Sequence, residues 1–255
     1  MEIAVGGSIA DQIAYGRVRF LRRPPKEITE FSRLSWEEEV LRFQKAQGRA
    51  VLQLAALHDR ALHQVGEGMA SIFAIHALLL EDEDLVDSIC TLVRERGVTA
   101  EYAVQTVCHS FREAFASMDS PYMRARAADI RDISNRMLRL LLSSHRPDPL
   151  RLGPAILVSD EFFPSEVMEL DHRRLLGLVA RQGSVDSHTA QLLQAFRIPA
   201  LTEAPLGPEW DGHLALLDGF DRRLYLDPDR EVLDRLRLRY QAGGMPPQAR
   251  RPAEG

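Results

Sequence analysis

Hydrophobic and polar positions change rhythm along this chain. Near the start, Ala14-Tyr15-Gly16-Arg17-Val18-Arg19-Phe20 alternates with the period of a half-buried strand, and Arg22-Arg23-Pro24-Pro25 ends it. From about Ser35 to Ser144 the period is helical. Val40, Phe43, Ala50, Leu54, Leu57, Ala61 and Val65 recur at helical spacing, and Ser35 with Glu38 makes a capping-box pattern ahead of them. Gly66 and Gly68 interrupt this long helix. Met69 to Leu80 is a second, apolar helix, and Asp82 to Arg96 is a third, stopped by Gly97. Thr99 caps a fourth that runs to about Ser117. Ser120-Pro121 opens a fifth, with proline at the first helical position, where a missing N–H costs nothing. Short connections between these segments predict a helical bundle.

After Pro147 the segments shorten and strands return. Ala155-Ile156-Leu157-Val158 reads as a buried strand, Pro164 to Leu170 as a short helix and Leu175 to Ala180 as a second strand. Gly183 to Ser187 is a polar turn, followed by a helix from His188 to Phe196. Leu214 to Leu217 and Leu224 to Leu226 are further strands. This alternation predicts a small α/β layer. The opening strand is too short to fold alone, so it is expected to join that layer, which makes the helical zone an insertion. A last helix, Asp229 to Tyr240, is capped by Asp227 or Asp229. No internal repeat is visible.

Composition narrows the function without naming it. The 255 residues are 45% hydrophobic and 27% charged, as in ordinary globular proteins. A net charge of -5 argues against nucleic acid. No apolar run reaches the roughly 18 residues that span a bilayer, and Met1-Glu2-Ile3-Ala4-Val5 is not a secretory signal. The two cysteines, Cys90 and Cys108, fall in helical patterns without a CxxC, so buried thiols and a cytoplasmic location are expected. His58, His63, His109, His145, His172 and His213 lack a second metal ligand at helical spacing, and no metal is expected in this chain. His188, at a helix start behind a glycine-containing turn, reads locally as a cap or surface residue, or as a group that meets an anion at a helix N-terminus.

Three blocks carry a resemblance to a known family. They are Ile72-Phe73-Ala74-Ile75-His76-Ala77-Leu78-Leu79-Leu80-Glu81-Asp82-Glu83-Asp84-Leu85, then Tyr122-Met123-Arg124-Ala125-Arg126-Ala127-Ala128-Asp129-Ile130-Arg131-Asp132, then Ile156-Leu157-Val158, Pro164-Ser165-Glu166 and Gly183 through Ser187-His188-Thr189 to Ile198-Pro199-Ala200. In this order and spacing the chain resembles the N-terminal half of enzyme I of the bacterial phosphoenolpyruvate:sugar phosphotransferase system. The resemblance implies an α/β swivelling phosphohistidine domain (residues 1–21 and 146–228) with an inserted all-α bundle (22–145) that docks the phosphocarrier HPr. It further implies a linker helix at 229–242, and composition leaves 243–255 as a disordered tail. Phosphoenolpyruvate and Mg²⁺ are then expected only with a separate C-terminal barrel. The chain stops about where the linker leads into that barrel.

The resemblance also implies roles. His188 is the phosphorylated histidine, with Gly183, Asp186, Ser187 and Thr189 supporting it. Imidazole titrates near about 6.5, so a neutral ring nitrogen is available to attack phosphorus near pH 7. HPr docking falls to Glu67, His76, Leu79, Asp82, Glu83, Asp84, Leu85 and Arg126, with Arg126 reaching toward the transferred phosphoryl group. Three residues depart from the family pattern. Asp186 replaces a threonine, Phe163 replaces a threonine that orients the active histidine, and Gln194 replaces an arginine. Each makes the site less hospitable to a dianion, with a second reading open for Asp186, that it points away and caps the helix. The alternative function is therefore a degenerate regulatory module that docks HPr or a relative without phosphotransfer.

Overall fold

The computed structural model describes residues 2–21, 23, 27–143 and 148–241. The expected disordered tail, 243–255, and His145 lie outside them. The elements, in chain order, begin with β1 (Glu2–Val5), β2 (Gly7–Ser8), β3 (Ile13–Phe20), α1 (Trp36–Val65), α2 (Glu67–Leu80) and α3 (Glu83–Arg96). They continue with α4 (Ala100–Ala116), α5 (Pro121–Leu141), β4 (Ala155–Ser159), α6 (Pro164–Glu169), β5 (Leu175–Ala180) and α7 (His188–Ala195). The last are β6 (Ala200–Thr202), a 3₁₀ turn at Pro208–Trp210, β7 (Leu214–Asp218), β8 (Arg223–Leu226) and α8 (Arg230–Gln241). The chain divides into two compact units. One comprises Met1–Arg22, Pro147–Phe162 and Leu170–Gly255, the other Arg23–Arg146 and Phe163–Glu169.

The first unit is built on an eight-stranded mixed sheet in the order β1-β8-β7-β3-β4-β5-β6-β2. β3 runs parallel to β4, β4 to β5 and β5 to β6, while the remaining pairings are antiparallel. The central run Ala155–Ser159 is buried throughout, as a strand flanked by parallel neighbours must be. Val18, Ile156, Val158, Val179, Leu201, Leu217 and Leu224 make one shared core. The opening strand thus joins the sheet by pairing with β4 and β7. The segment 2–21 reads as β-like as a whole, but β1, β2 and β6 are not separately legible, because two to four residues are too few to show a period. α8 is more than a connector. Asp229 accepts from Val232 N–H at its start, and Val232 and Leu236 pack on Leu216 and Tyr225 of the sheet.

The second unit holds α1 to α5; the capping box read at Ser35 and the cap read at Thr99 are in place, and Asp82, expected inside α3, is its N-cap. Ser35 and Glu38 complete the capping box of α1, Asp82 caps α3, Thr99 caps α4 and Ser120 caps α5. Gly97 ends α3 in the left-handed conformation at φ 61°. Buried Glu39 reaches across the bundle to accept from the Ala100 N–H, so one helix supplies a second cap to another.

One assignment changes. Pro164 to Leu170 was expected in the α/β layer, yet α6 belongs to the helical unit. Polar bonds hold it there. Ser165 donates to Asp132 through both its N–H and its hydroxyl, Arg136 and Arg139 bind Glu169, and Arg60 donates to the Met168 carbonyl. Burial works against ionising Glu169, but the two arginines outweigh it and hold the carboxyl below its usual range.

Candidate functional site

β5 ends at Ala180 and α7 begins at His188, so the loop between them presents the histidine at the C-terminal side of parallel strands, where ligands meet α/β sheets. Gly183 sits at φ +135°, a backbone that side chains rarely adopt, with the Thr202 methyl 3.4 Å from where a Cβ would lie. Ser184 then ties the turn from both ends. Its hydroxyl accepts from Asp186 N–H at 3.2 Å and its carbonyl accepts from Ser187 N–H at 3.1 Å. Ser187 is the N-cap of α7 and accepts from Ala190 N–H. His188 is the first helical residue and is half-buried. A helix start offers backbone N–H groups that its own turns do not use, and a favourable dipole for an anion.

The supporting residues divide. Ser187 keeps a hydroxyl hydrogen to donate, since its oxygen serves as the acceptor of the cap. Thr189 does not, because its hydroxyl donates to the Phe162 carbonyl at 3.0 Å. It positions the helix instead of supplying a phosphoryl donor. Asp186 is exposed. At about 5 Å in a water-like dielectric, two unit charges interact by only about 0.8 kcal/mol, a fourfold effect. Asp186→Thr is accordingly expected to strengthen anion binding at the start of α7 by no more than about fourfold in low salt, and less at about 0.5 M salt, measured by titration with inorganic phosphate. Gln194 donates its amide to the Ile9 carbonyl at 3.0 Å and so fastens α7 beside β2. Phe163 is buried in the helical unit, with the Arg23 and Arg131 guanidinium carbons 5.2 and 5.8 Å from its ring centroid. Arg23 also makes two bonds to Glu166.

The residues expected to dock a partner do not share one surface. Glu67, Asp82, Glu83 and Asp84 are exposed, and Leu79 is half-buried. His76, Leu85 and Arg126 are buried and are corrected from contact residues to core. The reason is a polar network inside the bundle. His76 Nε2 lies 3.1 Å from Asp129 Oδ1, and Arg126 donates to Asp129 Oδ2 at 2.6 Å. The other ring nitrogen of His76 lies 3.7 Å from Asp132, whose carboxyl is raised by burial against the opposing pull of His76 and Ser165. Tyr122 covers Arg126, with its ring centroid 4.5 Å from the guanidinium carbon. What the sequence reading missed is Leu78, 67% exposed beside the acidic run, and exposed Tyr122. α2 is apolar on nearly every side, so its periodicity carries no sign of which leucine faces out.

Cys90 and Cys108 are free thiols, and burial pushes the Cys108 thiol up to about 11. Among the described residues no group of three or more His, Cys, Asp or Glu side chains is placed to hold a metal ion. No described helix is long and apolar enough to cross a membrane.

Two family descriptions match the chain: "PEP-utilising enzyme, N-terminal" over residues 5–126, and "PEP-utilising enzyme, mobile domain" over residues 152–221. The first spans the opening strands and most of the helical unit, and the second spans the segment from β4 to β7 that includes His188. The chain is 32% identical over 212 residues to the phosphoenolpyruvate-protein phosphotransferase of Bacillus sp. (strain S), covering 81% of this chain and 37% of the relative. It is 30% identical over 233 residues to that of Bacillus subtilis (strain 168), covering 90% of this chain and 41% of the relative. The chain thus spans about two fifths of the length of these relatives. Among solved structures it superposes on enzyme I (nEIt) with a TM-score of 0.72 at 24% identity, covering 94% of this chain and 98% of that one. It superposes on the N-terminal domain of Enzyme 1 - Nitrogen with a TM-score of 0.63 at 26% identity, covering 93% and 99%. The chain belongs to the enzyme I family of phosphoenolpyruvate-utilising proteins and corresponds to its N-terminal part.

Proposed function

We propose that His188 carries a phosphoryl group and passes it to the phosphocarrier HPr or a relative. A ring nitrogen attacks phosphorus, the bond from phosphorus to the donor breaks, and a phosphohistidine forms; a histidine of the carrier then displaces it. The single observation that carries this reading is the placement of His188, half-buried at the first position of the 8-residue helix α7 behind the Gly183 turn. Docking falls to the exposed edge of α2 and the start of α3, where Leu78 supplies burial and Glu83 and Asp84 meet a basic rim. Phosphoenolpyruvate and Mg²⁺ would enter through a separate phosphoenolpyruvate-binding barrel, and the setting would be the cytoplasm.

The test runs the transfer backward from phosphorylated HPr. Acid-labile label is expected on the 255-residue chain and is lost in His188→Ala, while HPr binding is retained. A second reading, docking without chemistry, draws on Gln194, whose amide is committed to the Ile9 carbonyl where the family has an arginine. Binding with no label on the unaltered chain would select that reading; neither binding nor label would sink both.

A further inference from the structure

We propose that the outer face of α1 is a self-association surface on which a second copy of this chain packs antiparallel, with its two-fold axis at Leu52. α1 turns Phe43, Ala46, Ala50, Leu54, Leu57 and Ala61 into the bundle. At 3.6 residues per turn, the diametrically opposite line runs through Leu41, Lys45, Gly48, Leu52, Asp59 and Leu62, all of them exposed. Leu52 is 72% exposed, more than any other large hydrophobic side chain among the described residues, and Leu41 and Leu62 are 49% and 41% exposed. A single exposed leucine needs no explanation, but three on one line about 32 Å long, with Lys45 and Asp59 as the charges between them, single that line out as a contact face.

The stripe is complementary to itself. When two copies of α1 run antiparallel about Leu52, residues equally far before and after it face each other. Leu52 meets its symmetry mate, Gly48 meets Ala56, and Leu41 meets the Leu62-His63 turn. Lys45 meets Asp59, and the two-fold makes that ion pair twice, as an isologous interface requires. A parallel arrangement would instead set Lys45 on Lys45 and Asp59 on Asp59. Nothing lies within 4 Å of the position a Cβ would take on Gly48, so the two backbones can approach closely there. Within one copy the Asp59 carboxylate lies 3.3 Å from the ring of its neighbour His58 and is otherwise exposed. A seam of this length covers roughly 1,000 Å² in total, the lower end for specific association, so Kd is expected on the order of 10–100 μM.

Sedimentation equilibrium of the full chain between about 5 and 500 μM tests this, since that range brackets the expected Kd. A monomer–dimer equilibrium is expected. Leu52→Glu sets two carboxylates at the axis and raises Kd at least about tenfold. Lys45→Glu alone raises Kd severalfold, and adding Asp59→Lys restores it to within about threefold, which a merely destabilised helix would not do. Leu152→Glu, at an equally exposed leucine of the other unit, leaves Kd unchanged. A monomer throughout the range, a dimer indifferent to Leu52→Glu, or a charge swap that fails to restore association would each overturn the proposal. So would competition between dimer formation and HPr, which would assign the face to that partner.

Discussion

Asp129→Ala is expected to lower the melting temperature of the helical unit by roughly 10 °C, the largest stability effect of any single change considered. Asp129 is buried, and its two oxygens serve Arg126 and His76, which are themselves buried. Removing the carboxylate leaves a nearly buried guanidinium and a fully buried imidazole without their shared partner. Breaking a buried pair from one side costs about 3–5 kcal/mol, against about 1 kcal/mol or less for an exposed pair. At about 2–4 °C per kcal/mol for a protein of this size, that is a shift of order 10 °C. The rescue is as informative as the loss. Arg126→Met combined with Asp129→Leu removes both charges and should recover the share of the loss due to the stranded guanidinium, because well-packed apolar groups replace a buried ion pair at little cost, while the share due to the unpartnered His76 imidazole remains. Thermal melts followed by far-UV circular dichroism measure both. A shift under about 2 °C for Asp129→Ala would mean that water reaches the network, and the burial of Arg126 and His76 described above would be wrong.

Leu78→Glu is expected to weaken HPr binding about 100-fold while leaving the fold intact. The exposed leucine is the apolar member of the proposed docking edge, next to Glu81, Glu83 and Asp84. Burying a leucine side chain stabilises by about 1.5–3 kcal/mol, and a carboxylate in its place must also be desolvated, so about 3 kcal/mol is lost, or a factor of order 100. Charge reversal at Glu83 and Asp84 acts differently. It slows association and flattens the dependence on salt more than it changes dissociation, because rim charges steer encounter. Calorimetry reads the first effect and stopped-flow at two ionic strengths the second. Unchanged affinity in Leu78→Glu would move the docking site off α2.

These two predictions differ in what makes them possible. Leu78 and His76 are two residues apart on the same apolar helix, and one is exposed while the other is core. Nothing in the run Ile72 to Leu80 distinguishes them. The distinction comes from Asp129 and Asp132, more than fifty residues further on, which turn the His76 ring inward. The same holds for Leu85 and Arg126, taken for surface from the resemblance and found inside. It holds again for α6, whose residues follow a strand and precede one, yet which is held by Asp132, Arg136 and Arg139 of α5.

Local chemistry, by contrast, was legible. The caps at Ser35 and Thr99, the opening at Ser120-Pro121 and the stop at Gly97 each act within about four residues, so the sequence by itself determined where those helices begin or end. It likewise determined that an α/β layer flanks a helical insertion and that His188 opens a helix behind a polar turn. Only the tertiary structure decided which faces turn inward, which of the neighbouring hydroxyls remain free to donate, and where the two- to four-residue strands pair. Those outcomes depend on partners far away in the chain, and a hydrogen bond such as Thr189 to the Phe162 carbonyl, or a buried carboxylate such as Asp129, leaves no periodic mark on the residues it commits.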